Sequence, residues 1–133
     1  MTTQEYQQNG KKTILAIEDE ARILEIYLEA IPMFGYNIIT ATTGREGIEK
    51  FEADPYIIDI VLSDGLLGDI TSEAIYDRIN KIREIPKELP FILASGTPDD
   101  NAVKRTIERG ITSFIEKPLT LMELKSKLER ALA

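Results

Sequence analysis

Short aliphatic runs and stretches of helical period take turns along the chain. Thr13 to Ile17, Tyr36 to Ala41, Ile57 to Ser63, Phe91 to Ala94 and Thr112 to Ile115 are apolar and rich in β-branched residues, and predict strands. The central run, Ile57 to Leu62, reads as a strand buried on both faces, and it stops at Asp64 followed by Gly65. After the first run, Ala21, Leu24, Leu28 and Ile31, with Ile23 and Tyr27 beside them, recur at helical spacing until Pro32 kinks or ends the helix before Gly35.

The remaining helices carry start and stop signals. Thr43 and Glu46 fit a capping box for a helix to about Asp54 that turns Ile48 and Phe51 inward, and Asp54-Pro55 breaks it. A third helix from Ile70 to Glu84 puts Ala74, Ile75, Ile79 and Ile82 on its apolar side, and Pro86 and Pro90 bracket the loop that follows. Asp99 or Asp100 caps a fourth helix through about Arg109, with Gly110 just past its end. Thr120 and Glu123 form a second capping box, with Leu119 and Leu124 at the flanking staple positions.

Strands alternating with helices of this length, joined by short loops, predict an α/β fold: a doubly wound five-stranded parallel sheet with helices on both faces. Residues 13–133 read as one domain, and 1–12 as a short flexible polar tail with no apolar signal-peptide core. No apolar run approaches the roughly 18 residues of a membrane span, so a cytoplasmic location without membrane contact is expected.

Composition narrows the chemistry. The 133 residues include no cysteine and no histidine. Disulfides, thiolate ligands, Ser-His-Asp catalysis and histidine-ligated zinc or iron are therefore excluded. Any metal would sit among oxygens, which favours magnesium, calcium or manganese. The formal charge of −7 argues against direct nucleic-acid binding.

In an open parallel sheet, ligands bind beyond the carboxyl ends of the strands, where strand order reverses. The predicted strand ends supply Glu18 and Asp19, then Asp64, Ser95 and Lys117. Taken singly, each has a plain reading: an acidic start to the first helix, turn residues, a surface lysine. With strand order 2-1-3-4-5 they would converge on one cleft. Carboxylates crowded there repel unless a cation sits among them, and magnesium suits such hard oxygen ligands. A lysine and a hydroxyl opposite would bind phosphoryl oxygens, and Asp64 would be the natural nucleophile.

In these segments the chain resembles the receiver domain of two-component response regulators, in its single-domain form, from Thr13 to Ala133. Ile14 to Glu20 resembles the first strand with its acidic pair, and Asp59 to Asp64 the strand carrying the phosphoacceptor. Leu93-Ala94-Ser95-Gly96 resembles the strand ending in a hydroxyl and a small residue, and Gly110 to Pro118 the segment with the switch aromatic and the Lys-Pro pair. The resemblance implies a flavodoxin-like (βα)5 fold of order 2-1-3-4-5. It makes Asp64 the phosphoacceptor, with Asp19 and Asp64 as direct Mg2+ ligands (Mn2+ substituting), Glu18 acting through water and the Leu66 backbone carbonyl as a further ligand. Ser95 and Lys117 would bind the phosphoryl oxygens. Ser95 and Phe114 would form the switch, and for Phe114 plain core packing is the alternative.

The donor implied is a phosphohistidine on a histidine kinase or histidine phosphotransfer protein, necessarily another molecule since this chain has no histidine. A downstream protein would read the face formed by the fourth helix, fifth strand and fifth helix. Beyond slow self-dephosphorylation, no turnover of a free substrate is expected. The chain has Leu67-Gly68 where the family usually has Met-Pro, Glu18 where Asp is commoner, and Gly65 directly after the acceptor. Leu66 and Thr97 flank the path of water to the phosphate, and an apolar Leu66 offers nothing to orient that water. Two other readings are a receiver-like interaction module that is never phosphorylated and a haloacid-dehalogenase-like phosphatase. The latter needs an acid two residues after its nucleophile, where this chain has Leu66.

Overall fold

The structure is a computed structural model in which residues 2, 5–6, 9–83 and 89–133 are described. Five parallel strands, β1 (Thr13–Ile17), β2 (Asn37–Ala41), β3 (Ile60–Asp64), β4 (Phe91–Ser95) and β5 (Ser113–Glu116), form one sheet in the order β2-β1-β3-β4-β5. They alternate with α1 (Ala21–Met33), α2 (Gly44–Ala53), α3 (Ser72–Ile82), α4 (Asn101–Glu108) and α5 (Leu121–Ala131). This is the doubly wound arrangement anticipated from the pattern of runs and periods.

Successive side chains of a strand point to opposite faces, so each strand feeds two cores. Leu15, Ile17, Val61 and Leu93 pack with Phe51 of α2, Ile75 and Ile79 of α3 and Val103 of α4. Ile14, Ala16, Leu62, Ala94 and Ile115 pack with Tyr27 and Ile31 of α1 and Leu124 and Leu128 of α5. Three helices thus cover one face and two the other.

The caps form largely as the sequence indicates. Thr43 and Thr120 accept from the N–H groups of Glu46 and Glu123 at 3.0 and 3.1 Å, and Asp100, of the two candidates, caps α4. Gly110 takes φ +89°, the left-handed turn that glycine permits at a helix end. Glu46, however, reaches back to the N–H of Thr42 at 2.6 Å and not to its cap residue.

Several expectations are corrected. On α1 the buried residues are Tyr27, Ala30 and Ile31, while Ala21 and Leu28 are exposed. Two apolar stripes run along this helix, and the sheet takes the one headed by Ile23 and Tyr27. Pro32 lies within the last turn of α1, where little helix remains to be disrupted. Ala74 is exposed, because α3 turns Ser72, Ile75 and Ile79 inward. Regular pairing in β3 begins at Ile60 and not at Ile57: the Asp59 carboxylate accepts the Thr13 N–H at 2.7 Å, although Ile57 and Ile58 are buried. α3 begins at Ser72, behind a Thr71 cap, and not at Ile70; Glu84, where its end was expected, and Pro86 lie outside the described residues.

Candidate functional site

Beyond the carboxyl ends of β1, β3, β4 and β5 the sheet presents a cleft lined by Asp19, Asp64, Leu66, Ser95, Thr97 and Lys117. Backbone pairing continues one residue past the regular strands and fixes its walls. The Glu18 N–H donates to the Ala41 carbonyl, that of Gly65 to Ala94 and that of Lys117 to Ser95, each at 2.9 Å. Glu18 continues the face of Ile14 and Ala16, Asp64 that of Ile60 and Leu62, and Lys117 that of Ile115. Pleat alternation therefore brings two acids and the lysine to one side of the sheet.

There they meet. One carboxylate oxygen from each of Glu18, Asp19 and Asp64 lies within 4.8 Å of the other two, a set that could hold a metal ion. Lys117 Nζ stands 2.8 Å from Glu18 Oε1 and 3.3 Å from Asp64 Oδ1. Glu18 Oε2 also accepts the Glu20 N–H at 3.2 Å, and Asp64 Oδ1 that of Leu66 at 3.2 Å. Glu18 and Asp64 are buried and Asp19 is exposed at the rim.

The electrostatics follow from one ammonium facing several acids. Burial pushes the Glu18 carboxyl up to about 7; the Asp64 carboxylate adds to that effect and Lys117 opposes it. Asp19 is raised as well, by partial burial and by Asp64. Lys117 also moves up: burial disfavours its charge, but Glu18 and Asp64 outweigh it. A rise in both partners of an ion pair is consistent, because Glu18 feels a second carboxylate whereas Lys117 feels two attractive ones. Hard anionic oxygens in mutual repulsion match the donor chemistry of a magnesium site.

Ser95 Oγ, at the end of β4, accepts the Thr97 N–H at 3.0 Å and shares a 3.1 Å contact with the Thr97 hydroxyl. Phe114 pairs in register with Leu93 and packs half-buried against the core shared with α2, α3 and α4. Leu66 is exposed at the mouth of the cleft.

Three features escaped the reading of the sequence. A Cβ on Gly65 would lie 2.8 Å from Ser95 Cβ and 3.1 Å from Val103 Cγ2, so only glycine lets the loop after Asp64 lie this close to β4. Asp69, in the same loop, accepts the N–H groups of Gly44 and Arg45 at 2.9 and 2.8 Å, which ties that loop to the start of α2 and lowers its carboxyl. The Tyr27 hydroxyl is buried without a hydrogen-bond partner among the described residues. No local signal announces the first two, since their partners lie on other elements, and the burial of Tyr27 is set by the sheet it packs on.

The family model for the response regulator receiver domain matches residues 14–129. The chain belongs to that family. It is thus a receiver domain of the two-component response regulators, modules that meet histidine kinases and downstream effectors. The response regulator SaeR of Staphylococcus epidermidis is 25% identical over 120 residues, 90% of this chain and 50% of that protein. A cyclic di-GMP phosphodiesterase of Thermotoga maritima is 28% identical over 120 residues, 90% of this chain and 31% of that protein. The chain therefore spans about half or less of the curated relatives it matches. Among solved structures, the non-phosphorylated HemR receiver domain from Leptospira biflexa is 28% identical with a TM-score of 0.81, covering 92% of this chain and 95% of that one. Among the described residues of this receiver domain, no helix is long and apolar enough to cross a membrane.

Proposed function

We propose that this receiver domain is a phosphoacceptor in a phosphorelay, with Asp64 taking the phosphoryl group of a phosphohistidine on a histidine kinase or phosphotransfer protein. The observation that carries this reading is the meeting of Asp64 with Glu18, Asp19 and Lys117 in one cleft. Structural acids scattered over a surface have no reason to gather around a half-buried ammonium.

A carboxylate oxygen of Asp64 forms a P–O bond as the P–N bond of the donor breaks. The electron pair of that bond leaves with the donor's imidazole, which takes up a proton. Asp64 is held for this attack by the Leu66 N–H and by Lys117, so its approach is set before the donor arrives. Lys117 then faces an oxygen of the transferred group, and the Ser95 hydroxyl turns from Thr97 toward another. Glu18, Asp19 and Asp64, with the Leu66 carbonyl, would hold Mg2+ or Mn2+. When bound, that ion offsets negative charge on the transferred group.

The output follows from β4 and β5. Movement of Ser95 toward the phosphoryl group vacates space that Phe114, on the same side of the adjacent strand, takes up. The face of α4, β5 and α5 then shifts population toward a form that a partner protein binds. Residues 13–133 act here as one switching unit, with no turnover of a free substrate beyond slow loss of its own phosphate.

Incubation with phosphoramidate, a small P–N donor, and Mg2+ tests this. Protein-bound phosphate that hydroxylamine releases, as it does an acyl phosphate, is the expected result. Phosphate that resists hydroxylamine, or none at all, contradicts the reading.

A further inference from the structure

The loop after Asp64 carries Leu66 over the mouth of the cleft, and its two ends are held by different means. At its start the Gly65 N–H donates to the Ala94 carbonyl at 2.9 Å, with no room for a Cβ against Ser95. Leu66 is exposed, Leu67 rests half-buried on the core under α2, α3 and α4, and Gly68 has open space where a side chain would stand. An apolar contact like that of Leu67 has no preferred direction, and glycine adds rotational freedom. These residues leave the Leu66 peptide free to turn.

Asp69 supplies the missing direction. Its two carboxylate oxygens accept the N–H groups of Gly44 and Arg45 at 2.9 and 2.8 Å, in the first turn of α2. That turn has a cap of its own for other donors. Thr43 accepts the Glu46 N–H through its hydroxyl and the Gly47 N–H through its carbonyl, each at 3.0 Å. Asp69 therefore takes the two donors that Thr43 leaves, and sets its charge against the positive end of the helix dipole. The next residue presses on the same turn: a Cβ on Gly44 would run into Ile70 Cγ1. Two directed bonds and a close packing contact thus fix the far end of the loop to a different element.

We propose that Asp69 is a positioning residue for the acceptor loop: by fastening that loop to the start of α2, it holds the Leu66 peptide in the orientation the site uses. This rests on the phosphoacceptor reading above, in which the Leu66 carbonyl is a metal ligand. The same peptide plane bears on Asp64 from its other neighbour, since the Leu66 N–H donates to Asp64 Oδ1 at 3.2 Å. Asp69 touches neither the metal nor the phosphoryl group and acts through Leu66 alone.

A carboxylate that merely completed the cap of α2 would stabilise the helix and leave the site indifferent. Thr43→Ala separates the two roles, because Thr43 caps the same turn without belonging to the loop. Thr43→Ala and Asp69→Ala should each lower Tm by about 3–6 °C. Only Asp69→Ala should weaken binding of Mg2+ to the folded protein, by about 10-fold in Kd, read by calorimetry with Mg2+ alone. Without metal, the Leu66 amide should exchange faster in Asp69→Ala and at the wild-type rate in Thr43→Ala. If Asp69→Ala does not fold, Asp69→Asn, which keeps one accepting oxygen and sets an NH2 against the other N–H, is read in the same way. Equal Mg2+ affinity in wild type and the Asp69 variant, or equal losses in that variant and Thr43→Ala, overturns this inference and leaves the phosphoacceptor reading standing. Wild-type protein that binds Mg2+ but takes no phosphate from phosphoramidate overturns that reading, while the contrast between the two variants keeps the tether intact.

Discussion

Lys117 Nζ lies 2.8 Å from Glu18 Oε1, closing a contact between residues 99 positions apart in the chain. The pair joins the end of β5 to the end of β1 across β3 and β4, so it forms only when these four strands are in order. It also leaves Glu18 caught between an ammonium and the carboxylate of Asp64, with burial pushing its carboxyl up to about 7.

That shift has a sign. An unfolded glutamic acid releases its proton near 4.5, whereas folded Glu18 keeps it to about 7. Between these values the folded state binds more protons, so this group's contribution to stability declines as pH rises through the window, by roughly 3 kcal/mol at most. Thermal unfolding in chelator at pH 5 and pH 8 measures it. Glu18→Gln should flatten the slope, and an equal slope in both proteins would contradict the assignment.

Gly65 presses the loop after the acceptor against β4. Gly65→Ala places a Cβ 2.8 Å from Ser95 Cβ, an atom that cannot swing away as the end of a long side chain could. The expected cost is about 1–3 kcal/mol of folding stability. It should also disturb the Ser95–Thr97 hydrogen bond, visible as altered amide exchange at Thr97. Wild-type stability in this variant would show that the loop has room to move.

Leu66 sits exposed at the mouth of the cleft opposite Thr97, and offers no group to orient an attacking water. Leu66→Asn supplies an amide there and should speed loss of phosphate from Asp64, followed as decay of the phosphorylated fraction by gel or mass. Unchanged decay would place control of hydrolysis elsewhere.

Much of this was legible in the chain. Runs of Ile, Leu and Val marked the strands, and Thr43, Thr120 and the Asp99-Asp100 pair marked helix starts, because strand burial and capping are local effects. The cleft was legible because residues at strand ends are brought together by topology alone, with no need to know side-chain detail. The inward face of α1 was not, since Leu24 and Leu28 compete with Ile23 and Tyr27 and only the facing sheet decides between them. The Asp69 tether and the close approach at Gly65 were invisible for the same reason: each depends on an atom from a distant element.

The account depends most on Asp64 as the atom donor of a new P–O bond. Intact mass and peptide mapping after incubation with acetyl phosphate and Mg2+ test it directly. The predicted result is the mass of one phosphate group, mapped to Asp64, absent without divalent cation and absent in Asp64→Asn. No mass gain in the folded protein, or a phosphate mapped to any other residue, would contradict it.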